Sequence, residues 1–150
     1  MASGIRHKRL TVWLTLSDFC IAHNSQVRYA HFGVPATARG ACQLEFIFPA
    51  GYSVGGPGSH LVNVWKTERT FDTTTDTWAS APKTTSLFGT VMLKSKPSKE
   101  SRIVVNSGEC TSMKDFKFTI ADNNNSSSVT YTQQYPITEP VAGMRIVHSC

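Results

Sequence analysis

Aromatic side chains lie close to amide, hydroxyl and carboxylate groups at several points of this 150-residue chain. Flat Trp and Tyr rings stack on sugar faces, and neighbouring polar groups bind the sugar hydroxyls. The residues that fit such a ligand-binding surface are Trp78, Trp65, Tyr52, Asn63 and Asp76. The competing interpretation is that both tryptophans pack in the core. Trp78 is the stronger ligand candidate because it lies in a polar loop.

Catalytic and metal-binding patterns are weak. None of the five histidines shares the short spacing of a metal site, although separate strands could bring together His31, His60 or His148. Asp72 and Asp76 could supply oxygen ligands to calcium, but they lack the glycine and the terminal glutamate of the calcium-binding loop. Glu45 is the one acid on a clear strand, and it is more simply an outward-facing residue. We therefore predict no catalytic residues, no metal and no cofactor, and the protein is not expected to be an enzyme.

Four cysteines are spread along the chain without a Cys-x-x-Cys spacing, so structural disulfides are favoured over zinc. Three pairings exist, and we favour Cys42 with Cys110 and Cys20 with Cys150, since the second bond anchors both ends. Disulfides predict an extracellular or cell-surface location. Glycosylation acceptors at Asn124 and Asn125 agree with that location. The alternative is a cytosolic protein with four free thiols.

The net charge of +5 invites comparison with nucleic-acid-binding proteins. The basic residues, however, form only two short runs, at residues 6–9 and 94–99, and the second resembles an exposed hairpin loop. No apolar run approaches the roughly 18 residues of a membrane-spanning helix. We predict neither a nucleic-acid partner nor a membrane span.

Short alternating runs of apolar and polar residues predict about eight or nine strands, and no helix is indicated. The clearest strand is 42–48, where Cys42, Leu44, Phe46 and Phe48 share one face. Residues 86–94 and 101–106 are expected to form a hairpin, 123–128 a hairpin tip, and 71–85 an ordered crossing loop. The prediction is an all-β, two-sheet antiparallel β-sandwich of Greek-key or jelly-roll type over residues 27–150. Residues 1–26 form either an extra strand, centred on 10–16, or a poor signal-like segment.

Five segments of the chain resemble a fungal family. They are Phe32–Ala38, Cys42–Pro49, Val62–Trp65, Thr77–Pro82 with Phe88–Thr90, and Pro140–Met144. The family is named for the C-terminal domain of a yeast protein that binds the activating-enzyme subunit for the ubiquitin-like modifier NEDD8. The resemblance covers residues 27–150, rests on structural motifs, and implies the sandwich fold. Many members resemble secreted or cell-surface proteins of filamentous fungi.

Together these observations favour a secreted or cell-surface fungal module that binds cell-wall or host glycan, or acts structurally at the surface. Its partner would be a polysaccharide or a glycoprotein. The alternative is a protein-interaction domain, either binding an intracellular partner as the founding member does or self-associating through strand edges.

Overall fold

A computed structural model describes residues 11–12, 18–22, 27–34, 38–72, 74–132 and 142–148. Its regular elements are nearly all strands, and the one helix among these residues is a 3-10 turn at Cys110–Ser112. The strands are β1 Thr11–Val12, β2 Asp18–Ala22, β3 Arg28–Gly33, β4 Ala41–Phe48, β5 Leu61–Thr67, β6 Thr84–Met92, β7 Ser101–Glu109, β8 Asp115–Ile120, β9 Ser128–Thr132 and β10 Gly143–His148.

The strands form an antiparallel β-sandwich, as the sequence predicts. One sheet has five strands in the order β1-β3-β8-β5-β6, and the other has three in the order β10-β4-β7. Strands β2 and β9 pair with each other. The N-terminal strands β1 and β2 therefore join the fold by pairing with β3 and β9.

Alternation along the strands places one apolar side of each sheet in a shared core. Leu44, Phe46 and Phe48 of β4 are fully buried, and Phe116 and Phe118 of β8 lie in the same core. The Phe46 and Phe118 rings meet edge to face, with centroids 6.2 Å apart. Aromatic contacts thus join the two sheets.

A disulfide bond joins Cys42 to Cys110, one of the two bonds favoured from the sequence. Cys42 lies on β4, and Cys110 directly follows its partner strand β7, so the bond closes the end of the β4–β7 ladder. Both residues are buried. The Cys20–Cys150 bond remains a prediction, because Cys150 lies outside the described residues.

The sequence prediction of two hairpins is wrong. Strand β6 pairs with β5 and β7 pairs with β4, so residues 93–100 connect the two sheets. Residues 121–127 likewise lead from β8 to β9, which pairs with β2. The segment between β5 and β6, expected to cross between the sheets, instead closes the β5–β6 hairpin. Among the described strands, β5 and β6 are the only consecutive pair that is hydrogen-bonded together.

Candidate functional site

Trp78 lies in the long loop that joins β5 to β6, and it is 75% exposed. It stands in a tight turn, in which the Ser80 backbone N–H donates to the carbonyl oxygen of Thr77 at 3.2 Å. The Thr77 backbone N–H in turn donates to the Ser80 hydroxyl at 2.8 Å. We call residues 77–80 the Trp78 turn. It displays one large aromatic ring among small polar side chains.

An ion pair within the loop holds this turn in place. The Arg69 guanidinium donates to both carboxylate oxygens of Asp76, at 2.7 and 2.8 Å, and also to the carbonyl oxygen of Ser80 at 2.6 Å. The hydrogen bond from Arg69 lowers the pKa of Asp76 below its ordinary value. Because a bidentate pair fixes both partners in orientation, the loop presents the indole from a defined backbone.

Asp72 orders the first half of the same loop. Its carboxylate accepts hydrogen bonds from the backbone N–H and the hydroxyl of Thr74, at 2.8 and 2.6 Å. These bonds to the ionised form hold the pKa of Asp72 at about 2. The aspartates and threonines of this segment therefore act on their own backbone, as is typical of Asx turns.

The base of the loop packs on the outer side of the five-stranded sheet. Phe71 stacks on Tyr29 of β3, with ring centroids 4.7 Å apart. His31 Nδ1 lies 2.7 Å from the Asp115 carboxylate and 3.5 Å from the Thr70 hydroxyl. These contacts join the loop to β3 and β8. Sequence reasoning missed them because the paired residues are far apart in the chain.

A row of four residues crosses the outer face of the five-stranded sheet. Leu87 pairs with Trp65, Trp65 with Lys117, and Lys117 with Tyr29, on four neighbouring strands. Directly paired residues point to the same side of a sheet. Core residues lie next to the row on each of the four strands: Ala30, Phe116, Phe118, Val64 and Phe88. The row was not predicted, because it depends on strand order rather than on any one segment.

The other predicted ligand residues make contacts within the domain. The Trp65 indole N–H donates to the Thr119 hydroxyl at 3.0 Å, and Asn63, on the same face of β5, accepts from the Thr90 hydroxyl. The Tyr52 ring stacks on Phe48, and its hydroxyl bonds the backbone of Thr132. The Asp76 side chain is only 6% exposed because it is paired with Arg69. Trp78 is thus the one of the five that is exposed, and the other four are half-buried.

The carboxylate of Glu45 is buried, although its side chain points away from the core between the two sheets. It accepts a hydrogen bond from the Arg145 guanidinium at 2.7 Å. The Arg102 guanidinium lies 3.9 Å from the same oxygen. Across the described residues, no three His, Cys, Asp or Glu side chains are grouped in a way that could hold a metal ion. The described helical residues form no segment long and apolar enough to cross a membrane.

Comparison with known proteins points to protein binding. The sequence model of the family described as "Ubiquitin 3 binding protein But2 C-terminal domain" matches residues 16–136, a range that starts earlier than the resemblance predicted from the sequence. The family description names a protein-binding protein. It therefore overturns our main interpretation, which is glycan binding. The prediction of a secreted glycan-binding or cell-wall module is wrong, and nothing supports a polysaccharide partner. The contacts made by Asn63, Asp76 and Tyr52 give a physical reason, since their polar groups already serve the fold.

The extracellular location is a separate matter and stays a prediction, as does glycosylation at Asn124 and Asn125. No curated protein was found to match the chain. The family model covers most of the 150 residues, from strand β2 to beyond β9. The chain belongs to the family of the But2 C-terminal domain.

Proposed function

We propose that this domain is a non-enzymatic protein-interaction domain that uses the Trp78 turn as its anchor. The observation that carries the proposal is the 75% exposure of Trp78 on a loop fixed by hydrogen bonds. Tryptophan is enriched among the few residues that dominate the energy of protein interfaces. The family description, which names a binding protein, supports the same class of function.

The order of the loop matters for affinity. Binding costs conformational entropy whenever a loop must be immobilised, and a loop that is already ordered avoids part of that cost. Arg69 bonds both Asp76 and the Ser80 backbone, so the backbone on either side of the indole is held before a partner arrives. Arg69 is therefore a positioning residue for Trp78.

The test uses the purified chain and two purified probes, ubiquitin and the activating-enzyme subunit for NEDD8. The first is suggested by the family description and the second by the resemblance to the founding member. Isothermal titration calorimetry would compare wild type with Trp78→Ala. The matched control is Val104→Ala, because Val104 is also an exposed apolar residue, 46% exposed, but lies on β7 of the other sheet.

We expect one of the probes to bind wild type and Val104→Ala alike. Trp78→Ala should weaken that binding by about 30-fold or more, since truncating a dominant interface residue costs about 2 kcal/mol or more. Its free energy of unfolding should stay within about 0.5 kcal/mol of wild type, as for other surface substitutions. Failure of both probes to bind, or equal affinity for Trp78→Ala and wild type, would contradict the proposal.

A further inference from the structure

We propose that the outer face of the five-stranded sheet is a second part of the binding surface, and that it binds an acidic segment of the partner protein. This inference rests on the proposed function. We call Tyr29, Trp65, Leu87, Met92 and Lys117 the sheet-face patch. Four of them form the in-register row across β3, β8, β5 and β6.

Two apolar members of the patch are open to solvent, whereas Trp65 and Tyr29 are half-buried and Phe71 stacks on Tyr29. Leu87 is 51% exposed and Met92 57% exposed, and they lie on the same strand, β6, at the edge of the sheet order. Met92 pairs with the half-buried Leu61 of β5, so the apolar surface continues onto the next strand. Large exposed apolar side chains grouped on one face are typical of interaction surfaces.

The carboxylates of the domain have more partners within the chain than its lysines have. Seven carboxylates of the described residues accept hydrogen bonds or ion pairs within the chain: Glu45, Glu68, Asp72, Asp76, Glu100, Asp115 and Asp122. In the same part of the chain, six lysines make no ion pair: Lys83, Lys94, Lys96, Lys99, Lys114 and Lys117. Four of these carboxylates, Glu45, Asp76, Glu100 and Asp115, make ion-pair contacts, whereas the other three accept from neutral donors and stay charged. The six lysines are unpaired in the described part of the chain, and the chain as a whole carries a net charge of +5.

Lys117 brings this excess charge into the middle of the sheet-face patch. It stands between Trp65 and Tyr29 in the row, and its ammonium group lies 5.7 Å from the centroid of the Tyr29 ring. The nearest acid along β8, Asp115, is bonded to His31. An ammonium group among aromatic and aliphatic side chains fits a carboxylate flanked by apolar residues.

The same pattern argues against a nucleic acid as the occupant. Phosphate backbones are bound by rows or clusters of cations, whereas this face carries one lysine within an apolar row. An acidic protein segment with apolar side chains matches both properties of the patch. A nucleic acid then becomes one outcome of the test.

The experiment uses ¹⁵N-labelled protein and two peptide pools of about ten residues, enough to cross four strands spaced about 4.8 Å apart. Both pools carry Leu, Phe and Trp at alternating positions. Asp and Glu fill the remaining positions of one pool, and Lys and Arg fill those of the other. A short DNA duplex is the third probe, and chemical-shift changes locate the binding of each.

We expect the acidic pool to shift the signals of Trp65, Leu87 and Lys117, with affinity falling as salt is raised because exposed charges are screened. Lys117→Glu should weaken this binding by about 10-fold or more. Lys117→Gln should weaken it less. Lys99→Glu is the matched control and should bind as wild type, because Lys99 lies in the segment between β6 and β7.

Stronger binding of the basic pool or of DNA, shifts confined to other surfaces, or equal effects of Lys117→Glu and Lys99→Glu would overturn the inference. Shifts limited to the Trp78 turn would overturn it while leaving the proposed function intact. Conversely, Lys117→Glu could lose peptide binding while Trp78→Ala keeps wild-type affinity for the purified partner. That result would support the sheet-face patch and contradict Trp78 as the anchor.

Discussion

The Cys42–Cys110 bond should supply a large part of the stability of this domain. The bond joins residues 68 positions apart. In the chain-entropy description of disulfides, closing a loop of that length removes enough freedom from the unfolded chain to stabilise the fold by about 4 kcal/mol. Domains of this size have total stabilities of about 5–15 kcal/mol. Replacing both cysteines by alanine is therefore expected to bring the domain close to the limit of folding.

Equilibrium unfolding in urea, followed by tryptophan fluorescence and circular dichroism, measures this loss. With a typical slope of about 2 kcal/mol per molar urea, the midpoint of Cys42→Ala/Cys110→Ala should fall by about 2 M. The two cysteines are each only 1% exposed, so the loss of two buried sulfur atoms adds to the effect.

The single variants provide the control. Cys42→Ala and Cys110→Ala each break the same bond, so each alone should cost nearly as much as the double variant. Two results would contradict this prediction: a loss below about 1 kcal/mol in the double variant, or single losses that add to give the double. Either result would mean that the bond does not restrict the unfolded chain in solution.

Three further predictions concern stability. Glu45→Ala should lower the free energy of unfolding in urea by about 3–5 kcal/mol, because it leaves the largely buried Arg145 guanidinium without its carboxylate. The exposed Glu100→Ala should change stability little, and equal effects of the two substitutions would contradict the buried pair. Gly56→Ala should lower the melting temperature more than Gly40→Ala. Both glycines have positive φ, +95° and +80°, but only the new Cβ at residue 56 meets the backbone of β9. Equal melting temperatures would be evidence against this contact. The loop contacts of Asp72 should be stable at neutral pH and be lost only as pH falls from about 4 towards 2, because the pKa of Asp72 in the folded chain, about 2, lies below the ordinary carboxyl value. A midpoint near 4 in an NMR titration of this carboxyl group would contradict the prediction.

The strands themselves could be predicted from the sequence because alternation directly reports which side chains face the core. Residues 42–48, predicted as the clearest strand, lie within β4, Ala41–Phe48, and the buried faces agree. Strand pairing could not be predicted in the same way. The polar turn residues at 93–100 and 121–127 suit both a hairpin and a connection between sheets, so local sequence does not distinguish the two.

The candidate site could likewise be predicted only in part from the sequence. The sequence favours Trp78 as the strongest ligand candidate because an aromatic ring in a polar loop has little to pack against, and in the structure Trp78 is 75% exposed. The row through Leu87, Trp65 and Lys117 was missed because its members come from three separate strands. The sequence predicts Asp76 as a ligand contact, and in the structure its carboxylate is bonded to Arg69 and to the backbone of Asp72. An Asp among threonines is ambiguous in sequence, since the same side chain can bind a ligand or its own backbone.

The role of Trp78 as interface anchor can be measured by ¹⁹F NMR of protein labelled with 5-fluorotryptophan, whose three tryptophans give three resolvable signals. Trp78→Phe assigns the signal of the turn. On addition of the activating-enzyme subunit or ubiquitin, we expect the Trp78 signal to shift or broaden most, because its indole becomes buried in the interface. An unchanged Trp78 signal in the presence of a partner that binds would mean that Trp78 lies outside the interface.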